Sequence, residues 1–160
     1  MTDGRALVWA ANLAGWPVIQ LTIAAIVMRM PQKRFVRDSA LYRRRGWEQD
    51  GRFYTKWLRV RQWKAMLPDG APWLGGFAKK RLQSTDPDYF REFIVETRRA
   101  EFGHWWMMAC CPVFFLWNPL WACWVMVGYA VASNLPCIVA QRYNRLVLKR
   151  ICERRREPRQ

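Results

Sequence analysis

Glu96, Arg99, Glu101 and His104 fall within one nine-residue stretch, ETRRAEFGH (96–104), directly ahead of a Trp-Trp-Met-Met run. His104 is the chain's only histidine. On a helix, Glu101 and His104 lie three apart and share a face, Glu96 sits two turns before His104, and Arg99 falls beside Glu96. A carboxylate next to an imidazole holds its tautomer and raises its basicity, as a general base acting on a hydroxyl requires. The competing reading is a polar collar at the mouth of a membrane helix, where such residues anchor or glue helices together. Ionisable groups at membrane depth favour function, but spacing alone leaves both readings open.

A second cluster, QRYNR (141–145), places Arg142 and Arg145 at the exit of another apolar segment. Two arginines there suit a phosphate or an oxyanion. The competing reading is a snorkelling stop signal, which accounts for Arg142 and Arg145 but not for Gln141 and Asn144. Asn134, followed by Pro136, is a polar residue inside the same apolar segment and either binds a neighbour or caps a kink. There is no Gly-rich phosphate loop and no GxSxG elbow. The His-x4-Asp pattern of the soluble-face glycerolipid acyltransferases is also missing, because Trp-Trp-Met-Met follows His104. The five cysteines form no CxxC and no His/Cys ligand set, so no metal is expected and packing is their role.

These residues need elements to position them. At 160 residues and a net charge of +15, the chain has room for one domain. Residues 6–28 are almost wholly apolar and, at about 1.5 Å each, reach roughly 34 Å, enough to cross a bilayer, with Pro17 predicting a bend. A second apolar region, 105–140, is split by Asn118-Pro119, which predicts a helical hairpin over 104–141. Its first arm, 105–117, spans only about 20 Å and must borrow ETRRAEFGH to match its partner. Residues 29–99 carry 18 Lys/Arg against 8 Asp/Glu, and 142–160 carry 8 against 2, so both basic segments are expected on the cytoplasmic side. The expectation is an all-α, multi-pass protein of the cell (inner) membrane, a single membrane domain. It comprises an N-terminal transmembrane helix, a basic interfacial segment (29–103), a C-terminal transmembrane hairpin and a basic tail (142–160).

Within the basic segment, Phe53, Trp57, Val60, Trp63 or Lys64, and Leu67 recur at helical spacing with Arg52, Lys56, Arg59 and Arg61 between them. That pattern predicts a helix lying on anionic lipid, broken by Pro68-Asp69-Gly70. Asp86-Pro87 predicts a new helix start, cap and first position, and Phe93, Ile94 and Thr97 carry one face toward the hairpin. Nucleic-acid binding is excluded as a leading reading because the positive charge is spent at membrane boundaries.

The blocks IQLTIAAIVMRMPQKRF, DGRFYTKWLRVRQWKAMLPDG, FIVETRRAEFGHWW and NLPCIVAQRYNR, in this order and at these separations, resemble the glycosyl-4,4′-diaponeurosporenoate acyltransferases, small membrane enzymes that finish staphyloxanthin-type carotenoids. The N-terminal dozen residues, 71–91 and 107–125 match least. The resemblance implies transfer of a fatty acyl group from acyl-CoA or acyl-carrier protein to a sugar hydroxyl of a carotenoid glycoside or similar glycolipid, with no bound cofactor. Placed on the matched blocks, His104 would be the base, oriented by Glu101 or Glu96. Arg99, Arg142 and Arg145, with Asn144, would hold the donor's phosphate or the oxyanion, Trp57, Trp63 and Lys64 would seat the enzyme and its amphiphilic substrate in the interface, and Asn134 would be a further substrate contact. Membrane lipid, a lipid-linked sugar and the acyl donor are the expected partners. The alternative is a non-catalytic subunit that packs its Trp-rich helices and its Gly128/Ala132 stripe into a larger membrane complex.

Overall fold

The computed structural model describes residues 2–67 and 82–156, and among them all regular structure is helical. Helix α1 (Thr2–Arg29) runs through the first apolar stretch with Pro17 inside it. Leu7, Trp9, Leu13, Val18, Leu21 and Ile26 point outward and stay exposed, while Trp16, Ile23 and Val27 are buried against the rest of the chain. A helix apolar all round needs an apolar surrounding. Two stretches, Gly4–Arg29 and Leu120–Arg155, are long and apolar enough to cross a membrane.

The bundle's main packing is between α4 (Pro87–Ala109) and α5 (Leu120–Arg156), which run antiparallel. Asp86 caps α4 by accepting from the Asp88 N–H, and Pro87 occupies the first turn, as the sequence predicts. ETRRAEFGH lies well inside α4, so the first arm does extend backward into the polar stretch. α4 ends at Ala109, however, and Cys111–Leu116 tightens into a 3-10 turn before the Asn118-Pro119 corner. That corner is tied to α1: Asn12 and Asn118 exchange amide hydrogen bonds of 2.8 Å, and the Trp117 indole donates to Asn12 Oδ1. Trp16 stacks on Phe114 with ring centroids 4.7 Å apart. Gly15 makes that approach possible, since a Cβ there would meet Phe114 Cε1 at 2.8 Å.

Two expectations are corrected. First, the basic tail from Arg142 is not a tail. α5 continues unbroken to Arg156, about 55 Å of helix. Its second half packs Leu146 against Tyr54 and Val60, and Leu148 against Phe90, Phe93 and Ile94. The basic residues of 142–156 share the helix with an apolar stripe, and that stripe finds partners within the chain.

Second, the amphipathic stretch 53–67 is not one helix on lipid. It breaks into α2 (Arg52–Lys56) and α3 (Val60–Trp63), with Arg59 at φ +47° between them, followed by a 3-10 turn at Lys64–Met66. The break turns Tyr54 and Val60 together onto Tyr143 and Leu146 of α5, a burial that one straight helical face would not give. Trp57, expected on the lipid-facing stripe, is largely exposed. The predicted break at Pro68-Asp69-Gly70 lies outside the described residues.

Candidate active site

Two polar clusters sit between α4 and α5. In the first, His104 on α4 meets Asn134 on α5, with Nδ1 2.9 Å from the amide oxygen Oδ1. Asn134 is buried, and its amide nitrogen donates to the Ala130 carbonyl at 3.0 Å and to Ser133 Oγ at 3.1 Å. Those two donations fix the amide's orientation, so Oδ1 faces the ring as an acceptor. His104 then donates from Nδ1, and in its neutral form the lone pair lies on Nε2. Trp105 and Trp106, next in sequence, are respectively about two-fifths and half exposed.

In the second cluster, Glu101 is buried and held by Arg145 Nη1 at 2.6 Å and Arg142 Nη1 at 3.3 Å. Arg142 also pairs with Glu48 and donates to the Leu41 and Arg43 carbonyls. Glu48, fully buried, accepts in addition from the Tyr54 hydroxyl and the Arg45 N–H, each at 2.7 Å. Arg145, with 1 % exposure, lies over the Tyr42 ring. Two carboxylates thus cancel two guanidiniums.

The electrostatics follow from this geometry. Burial works to raise the Glu48 carboxyl, but the hydrogen bonds from Arg142, Tyr54 and the Arg45 backbone outweigh it and hold the group below the usual carboxylate range. Burial, with the Glu101 charge behind it, pushes the Tyr42 phenol up to about 12. Burial and the carboxylate of Glu48 likewise raise Tyr54.

The predicted site residues therefore divide. His104 and Asn134 come together, although the sequence gave each only a separate role. Glu101 meets Arg142 and Arg145, two residues expected to bind the donor rather than a carboxylate. The carboxylates foreseen as orienting His104 are taken by arginines: Glu101 by Arg142 and Arg145, and Glu96 by Arg99 at 2.8 Å. A guanidinium's full positive charge, from the neighbouring helix for Glu101 and from one turn along α4 for Glu96, competes better for a buried carboxylate than an imidazole ring does. The arginines foreseen for a donor phosphate are committed by the same bonds. Arg99 additionally reaches the Met30 carbonyl and lies over Phe35.

Lys64, Trp63 and Asn144 form a separate group on another face of α5. There Lys64 Nζ donates to Asn144 Oδ1 at 2.8 Å and sits over the Tyr143 ring, and the Trp63 indole donates to the Leu58 carbonyl. Burial lowers the Lys64 ammonium from its ordinary value. Sequence reasoning missed Glu48, Tyr54, Asp38 and Arg98. Arg98 forks onto Asp38 at 2.7 and 3.0 Å and onto the Phe35 and Val36 carbonyls, and Lys149 closes on the same carboxylate. An acid in an irregular segment such as GWEQDG has no periodicity to reveal it. The available signal was scarcity: so few acids among so many arginines must each be paired if buried.

Fold and site together describe a helical protein with two helices of membrane length and a histidine whose tautomer is set from a neighbouring helix, which is equipment for group transfer to a hydroxyl. Residues 38–154, which contain both clusters, match the glycosyl-4,4′-diaponeurosporenoate acyltransferase family, and the chain belongs to that family. It is an acyltransferase, so the reading as a non-catalytic packing subunit falls. Curated relatives of that name include those of Staphylococcus aureus strain USA300 and strain bovine RF122 / ET3-1. Each is 34% identical over 147 residues, covering 89% of this chain and 88% of the relative. The strain Newman protein is 33% identical over 132 residues, covering 81% and 79%. No solved structure matches the chain.

Proposed function

We propose that the chain is a membrane O-acyltransferase of the cell membrane. In this reading it moves a fatty acyl group from a thioester donor, acyl-CoA or acyl-carrier protein, to a sugar hydroxyl of a carotenoid glycoside or a similar glycolipid. The observation that carries the reading is the His104–Asn134 pair. With Nδ1–H bonded to the amide, Nε2 takes the acceptor hydroxyl's proton as that oxygen attacks the thioester carbonyl carbon. The tetrahedral oxyanion collapses, the carbon–sulfur bond breaks, and the departing thiolate recovers the proton from the imidazolium. Atoms and charge balance without a further reagent.

The exposed rings of Trp105 and Trp106 beside His104 offer apolar faces to an acyl chain or polyene. The same reading has α1 and the α4–α5 hairpin crossing the bilayer, with the basic segments cytoplasmic. It keeps the ionic cluster as the frame that fixes α4 against α5.

The experiment gives detergent-purified protein a glycosylated carotenoid and a labelled acyl-CoA or acyl-carrier donor, and follows ester formation. Ester from either donor is expected. Folded protein that forms no ester with either donor would overturn the acceptor assignment.

A further inference from the structure

A cavity of about 350 Å³ lies where α2 and α3 meet the second half of α5, lined by Arg52, Thr55, Lys56, Arg61, Tyr143 and Arg150 among others. Its position relative to the site above is fixed by α5. Tyr143 is nine residues beyond Asn134, two and a half turns, so the two point from opposite sides of the helix about 14 Å apart along its axis. The cavity is therefore separate from the His104 pair.

Its charge is unlike that of the ionic cluster. Four cations converge on it, and its one acid, Asp50, is drawn off into a salt bridge with Arg44. Among the described residues no carboxylate pairs with Arg52, Lys56, Arg61 or Arg150, whereas Arg98, Arg99, Arg142 and Arg145 each have one. One of the cations, Arg61, is positioned by a buried partner. Arg61 Nε donates to the buried Tyr143 hydroxyl at 2.9 Å, which sets the plane of the guanidinium and leaves its two terminal nitrogens to act as a fork.

The floor is built with strained backbone. Gln49 and Asp50 take left-handed φ of 46° and 56°, and Gly51 follows at 90°, where a Cβ would stand 3.5 Å from Tyr143 and Val147. Non-glycine residues in that region are strained and persist only when their surroundings insist. Here Glu48, anchored by Arg142 and Tyr54, supplies the insistence.

We infer that this cavity is a binding site for a phosphate ester. Like charges drawn together repel, and a tetrahedral anion that accepts from the Arg and Lys donors relieves the repulsion. The same chemistry is offered by the nucleotide end of a CoA thioester and by the headgroup of an anionic phospholipid. The inference stands apart from acyl transfer: either occupant fits whatever the acceptor sugar is.

The test uses the full chain in phosphatidylcholine nanodiscs. One arm titrates CoA by calorimetry, and the other adds phosphatidylglycerol and counts retained lipid by native mass spectrometry. At least one probe is expected to bind wild type, and to bind Arg52→Gln/Lys56→Gln about tenfold or more weakly at unchanged melting temperature. Arg61→Gln, which loses the fork together with its hydrogen bond to Tyr143, repeats the comparison should the double variant fail to fold. CoA binding alone assigns the site to a nucleotide phosphate, and phosphatidylglycerol retention alone assigns it to a headgroup. Neither probe binding wild type, or equal binding by the folded variants, overturns the inference. Because no acyl transfer is read, failure here is distinct from failure of the ester assay.

Discussion

The two polar clusters along the α4–α5 interface differ in what they leave over. Around Glu101, two carboxylates and two guanidiniums pair with one another, Arg142 also donating to loop carbonyls, and the result is electrically neutral, with Arg145 Nε left without a hydrogen-bond partner among the described residues. Around His104, an imidazole meets a single amide, and the geometry makes Nδ1 the donor. On the proposed reading the richer cluster is the frame, and the sparer one is where a proton moves. Arginine and glutamate inside a membrane-length bundle invite a catalytic reading, but their first obligation is to each other.

The largest expected effect comes from breaking the frame. Glu101→Ala leaves Arg145 buried and unpaired, which costs about 3–5 kcal/mol, read as a lower unfolding midpoint in detergent. An unchanged midpoint together with lost activity would move Glu101 from frame to catalysis and dissolve the comparison.

Asn134→Leu touches the other cluster. It removes the acceptor that holds the proton on Nδ1, so kcat should fall about tenfold with KM little changed, and the acid limb of the kcat–pH profile should shift. A purely structural Asn134 would leave that limb in place. A smaller and purely electrostatic effect comes from acid. The folded Glu48 carboxyl is held below its ordinary value of 4.5, so its contribution to stability is complete above that value and is lost as pH falls through the lowered one. Unfolding midpoints followed from pH 7 downward should show a loss that Glu48→Gln lacks.

What was legible in the sequence was whatever rests on local pattern. The first helix, the Asn118-Pro119 corner, the Asp86 cap and the backward extension of the first arm all follow from apolar runs and turn chemistry. What stayed hidden rests on partners far along the chain. Arg142 reads as a membrane exit signal until Glu48, 94 residues earlier, is seen against it. The stretch 53–67 carries a helical period, but Tyr143 and Leu146 bend it to a different use. His104 and Asn134 were each conspicuous, yet 30 residues of hairpin separate them and only the register of α4 on α5 makes them a pair.

The central claim is that His104 does the chemistry and the ionic cluster does not. Its most direct test is the rate of ester formation by folded His104→Ala against wild type, with melting temperatures measured on the same preparations. The account predicts a loss of about 100-fold or more with little change in melting temperature. Equal rates would contradict it, and would return the search for the base to the arginine-bound carboxylates.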